Sequence, residues 1–308
     1  MSGYSEDALA TAAHLYYTEG LKQEAVAGRM NISRLAVTRM LKKARDQGIV
    51  QISVNRPLPA LVGLAIGLEK KYGLKSVRVV QTGAAQEETV AAIGRAGAEF
   101  LSSLLRPGCR IGVAWSRTVS SILPYVRRTS KSGVCINELA GTYLAPNIPY
   151  GVSMALAEKL HVPLESIPMP VLALHEHARD IMLKEHMIRK ALANAARVDI
   201  ALVGLGKVSE SSSMVDAGYV AKAHLKEFEM KGVVGELLLR CYDAHGQYIR
   251  MSFEKRTISL TWERIKSLPF VAAMAFGAEK LDAIRGALDG HVIHGLVTDK
   301  NTAAALLE

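Results

Sequence analysis

From Ser33 to Arg45 the chain repeats one arrangement: Val37, Met40, Leu41 and Ala44 fall at i, i+3, i+4 and i+7, while Arg34, Thr38, Lys42 and Arg45 share the opposite side. At 3.6 residues per turn this is a helix with one buried face and one cationic face. Ser33 stands where an N-cap is wanted, and Gly48 closes the far end. A preceding helix from Lys22 to Met30 buries Val26, Ala27 and Met30. Asn31 and Ile32 leave a turn too short for a loop but long enough for two helices to cross. Leu9, Ala12, Ala13 and Tyr16 repeat the apolar spacing and supply the third helix that so small a module needs to close a core. After Gly48, Val50, Ile52 and Val54 alternate with Gln51 and Ser53, the period of a strand covered on one face. Helix, tight turn, cationic helix and strand together outline a winged helix-turn-helix over residues 1–56.

Charge supports that outline. Arg29, Arg34, Arg39, Lys42, Lys43, Arg45 and Arg56 face a single acid, Asp46, between residues 29 and 56, a local excess of +6 in a chain whose net charge is +9. Concentration in one short stretch points to a phosphate-facing surface rather than to a diffusely basic protein. The competing reading is a three-helix bundle with a solvated basic face, but turn, cap, wing and charge agree on DNA. Arg34, Thr38 and Arg39 lie near the helix N-terminus, where such helices meet base edges, and Ser33 caps that end. Lys42, Lys43 and Arg45 are placed to contact phosphates.

The 308 residues leave room for a second domain, residues 57–308, large enough for one α/β core. No apolar run reaches the ~18 residues that span a bilayer, and the start MSGYSEDAL lacks the charged and apolar regions of a signal peptide, so a cytoplasmic location is expected. Cys109, Cys135 and Cys241 stand apart without metal-ligand spacing and read as reduced packing residues. Pro57 and Pro59 mark the boundary. Beyond it Leu61, Leu64, Ala65, Leu68 and Tyr72 form a helical stripe, to which Val62 and Ile66 add a second apolar face. That second face suits a dimer contact or a domain contact, or simply full burial.

Strand patterns at Val77–Val80, Arg110–Ala114, Val134–Leu139, Pro170–Leu174, Ile200–Gly204, Phe270–Ala275 and Gly295–Thr298 alternate with helical stretches such as Glu87–Leu105, Gly151–Leu160 and Asp180–Ala196. The alternation predicts a Rossmann-like, doubly wound, mostly parallel sheet. Small molecules bind such sheets outside the carboxyl ends of the strands. Four strand ends suit that purpose: Trp115, Ser116, Arg117 and Thr118; Gly141 and Thr142; the run Gly204, Leu205, Gly206, Lys207; and the run Phe276, Gly277, Ala278, Glu279, Lys280. One glycine after a strand is usually a plain turn, whereas four such ends point to a ligand mouth. Arg117 and Lys280 would meet a phosphate or another anion, and Asp243 would accept from sugar hydroxyls.

These stretches carry a resemblance that spans essentially the whole chain. LKQEAVAGRMNISRLAVTRMLKKARDQGIVQISV, GVAWSRT, VGLGKV, GVVGELLLRCYDAHG, AFGAEKLDAI and VTDKNTAAALL resemble the SorC family of bacterial sugar-binding transcriptional regulators, often grouped with the DeoR-type repressors. The resemblance implies an effector domain similar in fold to sugar-phosphate isomerases and deaminases, a sugar or sugar-phosphate effector, a dimer or tetramer, and a near-palindromic operator. By motif position it implies effector contacts at Trp115, Ser116, Thr118, Gly141, Thr142, Gly204, Gly206, Asp243, Gly277 and Lys280. Repression relieved by the effector is the default, with ligand-dependent activation as the other sense. Ala114, Ser116, Thr142 and Phe276 stand where the family commonly has glycine, and each reshapes the mouth. The rival reading is a sugar-phosphate isomerase with Asp243, Glu279 or Asp299 as base, but it leaves the basic head unexplained. His175, Glu176 and His177 would share a metal only with a third ligand that is not evident, and they read better as a loop or helix start; no cofactor or metal is implied.

Overall fold

The computed structural model describes residues 4–50, 59–142, 151–210, 212–216, 218–221 and 225–308. The chain forms two compact units, Met1–Leu58 and Pro59–Glu308. In the first, helices α1 (Glu6–Ala13), α2 (Gln23–Met30) and α3 (Arg34–Asp46) follow one another. Ser33 Oγ accepts from the Ala36 N–H at 3.1 Å and caps α3. Asn31 ends α2 in the left-handed region at φ 52°, a conformation that asparagine tolerates, and so makes the turn sharp. Val37, Met40, Leu41 and Ala44 are buried against Leu9, Ala12, Ala13, Val26 and Ala27, the stripes expected from the spacing.

Two positions differ from the simple helical count. Residues His14–Thr18 form a π-helical turn, whose wider hydrogen-bond ring shifts the register, so Leu15 is buried and Tyr16 only half-buried. Met30 is also half-buried, at the open end of α2. Val50 packs on this core, but the rest of the expected wing lies outside the described residues.

The second unit contains β1 (Ser76–Val80), β2 (Arg110–Val113), β3 (Cys135–Glu138), β4 (Leu164–Glu165), β5 (Ile200–Gly204), β6 (Gly235–Leu237), β7 (Arg240–Tyr242), β8 (Tyr248–Ile249), β9 (Val271–Met274) and β10 (Gly295–Asp299). Seven of them form one parallel sheet in the order β1-β10-β9-β5-β2-β3-β4. Both faces are covered. On β9, Val271 and Ala273 join one apolar cluster, while Ala272 and Met274 join the other. Burial on both sides is why these strands read as continuous apolar runs.

The winding of this sheet locates the site. From β2 the chain moves outward through β3 to β4, then returns to place β5 on the other side of β2 and continues through β9 to β10. The connections after β2 and β5 therefore leave in opposite directions, and a crevice opens between their carboxyl ends. β6, β7 and β8 form a separate antiparallel sheet that the residue pattern did not announce.

Two expected elements take other forms. The segment Pro170–Leu174 makes only isolated bridges, Thr142 to Pro170 and Leu172 to Thr257, and the sheet's edge strand is β4 instead. Pro168 and Pro170 lack the N–H that a ladder needs. The stretch Asp180–Ala196 is two helices, Glu176–Met182 and His186–Ala195, although no residue from 183 to 185 is a helix breaker by type.

The Ala60–Tyr72 helix lies against β1 and the C-terminal Lys300–Leu307 helix, with Lys71 Nζ and Tyr72 OH each donating to the Leu306 carbonyl at 2.8 Å. On its second apolar face Val62 is 44% and Ile66 46% exposed. No helix among the described residues is long and apolar enough to cross a membrane. The three cysteines are free thiols, each pushed up in pKa by burial before any other cause.

Candidate functional site

The crevice at the β2 and β5 ends opens into a cavity of about 460 Å³. Trp115, Ser116, Arg117 and Thr118 enter it after β2, the run Gly204–Lys207 after β5, and Phe276, Glu279 and Lys280 after β9. Glu236 and Leu238 enter it from the small antiparallel sheet. Three of the four strand ends singled out in the residue pattern therefore converge on one space.

Close backbone approach explains the glycines. Ser116 Oγ caps the short helix Arg117–Ser120, accepting from the Thr118 and Val119 N–H groups at 3.2 and 3.4 Å. That cap lies directly against Gly204, where a Cβ would collide with Ser116 Oγ. Gly206 exchanges backbone hydrogen bonds with Glu236 at 3.0 and 2.8 Å, and a Cβ there would collide with Glu236 Oε1. Glycine at both places lets two strand ends and a carboxylate share one wall.

The wall is electrostatically mixed. Glu236 is only 8% exposed, and burial pushes its carboxyl up to about 7, with the Leu239 N–H and Lys280 working against that rise. One oxygen, Oε2, accepts from the Leu239 N–H at 3.0 Å. Lys280 is pulled below the ordinary lysine range, first by burial; Arg117 and Lys207 also lower it, while Glu279 and Glu236 raise it. Three cations thus converge beside a buried carboxylate, an arrangement suited to an anionic group carried on a body with hydroxyls.

A strained hairpin holds Glu236 in place. Leu238 and Leu239 join β6 to β7 at φ 56° and 62°, two successive left-handed residues where asparagine and glycine are the usual choices. Burial of both leucines and the Glu236–Leu239 bond stabilise this turn. Next to it, Arg240 donates to Glu254 Oε2 at 2.9 Å and to the Leu260 carbonyl at 3.0 Å, with the two charged side chains 8% and 1% exposed. Tyr248 OH donates to the same carboxylate, and its phenol is pushed up to about 12, by burial first and Glu254 second.

Four expected contacts lie elsewhere. Gly141 and Thr142 line neither this cavity nor its neighbour: the Gly141 N–H donates to the Ile258 carbonyl at 2.9 Å and the Thr142 N–H to the Met169 carbonyl at 2.6 Å, so their backbone is spent on pairing. Asp243 Oδ1 accepts from the His245 and Gln247 N–H groups at 2.9 and 2.8 Å and shapes the turn into β8, away from the mouth. Gly277, at φ 102°, donates its N–H to Thr302 Oγ1 at 2.8 Å and lines an adjoining space of about 400 Å³. Asp299, a candidate base, accepts from Thr82 Oγ1 and caps the Lys300–Leu307 helix at the Thr302 N–H.

Glu236 and Leu238 line the site although the residue pattern did not single them out, and Lys207, the last residue of one named strand-end run, joins them there. Glu236 carried a usable signal, a lone carboxylate inside the apolar run VVGELLL. His175 is the N-cap of the Glu176–Met182 helix, with Nδ1 accepting from the Ala178 N–H at 3.1 Å, so the histidine pair sits at a helix start. Among the described residues no group of three or more His, Cys, Asp or Glu is placed to hold a metal.

In the first unit Arg34, Thr38, Arg39, Lys42 and Arg45 lie exposed along α3, and Lys43 is half-buried. Arg34 pairs with Glu24 at 3.0 Å, and Thr38 Oγ1 donates to Gln23 Oε1 at 2.9 Å, tying the start of α3 to α2. Leu35 beside them is a large apolar side chain that stays 60% exposed.

The family model described as "Putative sugar-binding domain" matches residues 57–308. The erythritol catabolism regulatory protein EryD of Brucella abortus is 29% identical over 98% of this chain and 97% of its own length. The deoxyribonucleoside regulator of Bacillus subtilis is 29% identical over 96% of each. The full-length sorbitol operon regulator SorC of Klebsiella pneumoniae superposes over 100% of both chains with a TM-score of 0.75 at 26% identity. Each of these is named as a regulator rather than as an enzyme. The chain belongs to the sugar-binding-domain family of SorC-type transcriptional regulators.

Proposed function

We propose that this chain is a transcriptional regulator of a carbohydrate or polyol operon, with operator affinity set by a sugar or sugar phosphate bound at the β2–β5 crevice. The observation that carries the proposal is the convergence of Arg117, Lys207 and Lys280 on the buried Glu236 carboxylate at the sheet's switch point. Cations receive a phosphate, and Glu236 accepts from a hydroxyl. The 1–56 segment acts as a winged helix-turn-helix. Arg34, Leu35, Thr38 and Arg39 meet base edges, the leucine against a thymine methyl, while Lys42, Lys43 and Arg45 meet phosphates.

The chain works in the cytoplasm as a homodimer or homotetramer on a near-palindromic operator, with Val62 and Ile66 of the Ala60–Tyr72 helix as part of the subunit contact. An effector that binds one subunit arrangement better than another shifts operator affinity by the same coupling energy. Repression relieved by effector is the expected sense. An isomerase reading is weakened because Asp243 and Asp299, two of its three candidate bases, are engaged in a turn and a helix cap.

Two measurements test the proposal. Affinity of the full chain for the DNA upstream of its own gene is expected to fall steeply with salt. Arg39→Ala should cost about 1 to 3 kcal/mol and relax base preference, while Lys42→Ala should weaken all sequences alike and lower the salt slope by about 1. Salt-independent binding, or none, would contradict the DNA assignment. In a thermal-shift panel of free and phosphorylated hexoses and hexitols, Lys280→Ala should lose the shift with phosphorylated compounds and keep unliganded DNA binding. Loss of both together would make Lys280 a structural residue.

A further inference from the structure

We infer that Phe276 is a specificity-determining partition that confines the effector to one chamber of a two-chambered mouth, so that the native site takes a single phosphorylated ring or chain and excludes a disaccharide phosphate. The inference rests on reading the mouth as a sugar-phosphate site and adds what limits the size of its ligand.

The second chamber, about 400 Å³, lies at the carboxyl ends of β1, β9 and β10. It adjoins the 460 Å³ cavity, and Phe276, Gln86 and Glu279 line both. Each space alone falls in the range of roughly 300 to 1,000 Å³ that holds a small ligand. Phe276 is the only apolar residue of those three. It packs against the core cluster that contains Met274 and Val297, so it is anchored rather than swinging in solvent.

Chemistry separates the chambers as well. Arg117, Lys207 and Lys280 line the first, whereas no Lys, Arg or His is among the residues lining the second. The second chamber's hydrogen-bonding groups are neutral or acidic, with Thr82, Gln86, Asn301 and Glu279 at its wall. At its helix N-terminus the Asn301 N–H is already taken by Thr82 Oγ1 at 3.1 Å and the Thr302 N–H by Asp299 Oδ1 at 3.2 Å. A phosphate therefore stays in the first chamber, and only a hydroxyl-rich, uncharged second ring suits the other. With phenylalanine between them, that second ring has no passage.

Binding of glucose 6-phosphate and trehalose 6-phosphate to the full chain and to Phe276→Ala, by calorimetry, tests this. The native chain should bind the single-ring compound and take up the disaccharide phosphate at least tenfold more weakly. Phe276→Ala should reduce that preference at least tenfold, chiefly by gaining the disaccharide phosphate. Phe276→Leu, which keeps apolar bulk and guards against a folding failure of the smaller variant, should show a partial gain. Equal binding of both compounds by the native chain would overturn the partition while leaving the sugar-phosphate reading in place. So would variants that keep glucose 6-phosphate and gain nothing. If neither compound binds any of the proteins and no other phosphorylated sugar stabilises the native chain, the sugar-phosphate reading itself fails and takes the partition with it.

Discussion

Glu254→Ala is expected to destabilise the Pro59–Glu308 unit by about 3 to 5 kcal/mol, because it leaves the Arg240 guanidinium buried with its partner carboxylate removed. Three donors point at that region: Arg240 Nη1 and Tyr248 OH lose Glu254 Oε2, and the Met251 N–H loses Oε1. For a unit of this size the loss corresponds to a fall of roughly 10 °C in melting temperature. The consequence extends to the mouth, since Arg240 follows directly on the left-handed Leu238–Leu239 turn that holds Glu236. Replacing both partners together, Arg240→Met with Glu254→Leu, should recover much of the stability, since no unpaired charge remains. A single substitution that costs under about 1 kcal/mol in a denaturant titration would show that the pair does not anchor the hairpin.

The second large effect is a change in pH dependence. In the folded chain Glu236 holds its proton up to about pH 7, whereas the unfolded chain releases it near the ordinary value of 4.5. Between these values the folded state binds more protons, so stability falls as pH rises through that window, and the full penalty is present above it. Glu236→Gln removes the charge and keeps an oxygen for the Leu239 N–H. The variant should match the native chain near the lower limit and exceed it by up to about 3 kcal/mol at alkaline pH. It should bind hydroxyl-bearing ligands more weakly, because an amide oxygen accepts less strongly than a carboxylate. Gain of stability with loss of ligand is the signature of a site residue. Parallel stability profiles for the two proteins from acid to alkaline pH would show that Glu236 is not buried as described.

Helix α3 and its buried stripe follow from a 3.6-residue period, and six strands of the parallel sheet follow from apolar runs between helices. Three strand-end turns converge as expected because parallel strands put their carboxyl ends on one side. Gly141 and Thr142 looked the same in sequence but are consumed by pairing with residues far along the chain, which no local pattern reports. The β6–β7 hairpin was hidden for the opposite reason. Its turn carries two leucines in a left-handed conformation instead of the glycine or asparagine that marks such turns, so tertiary burial, and not turn chemistry, shapes it. Asp243 is a polar residue in a matching motif, yet a short loop takes its carboxylate first. Glu236, seven residues earlier in the same stretch of chain that folds back on itself, faces the mouth instead.

Under the proposed function the crevice between β2 and β5 governs DNA binding through linkage. The most direct test is an operator titration of the full chain, with and without the phosphorylated sugar that stabilises the protein most in the thermal-shift panel. Operator affinity should change by roughly 5- to 150-fold, ligand affinity should change by the same factor when operator is bound, and Lys280→Ala should abolish both changes. A ligand that binds in a Lys280-dependent way and leaves operator affinity unaltered would contradict the account.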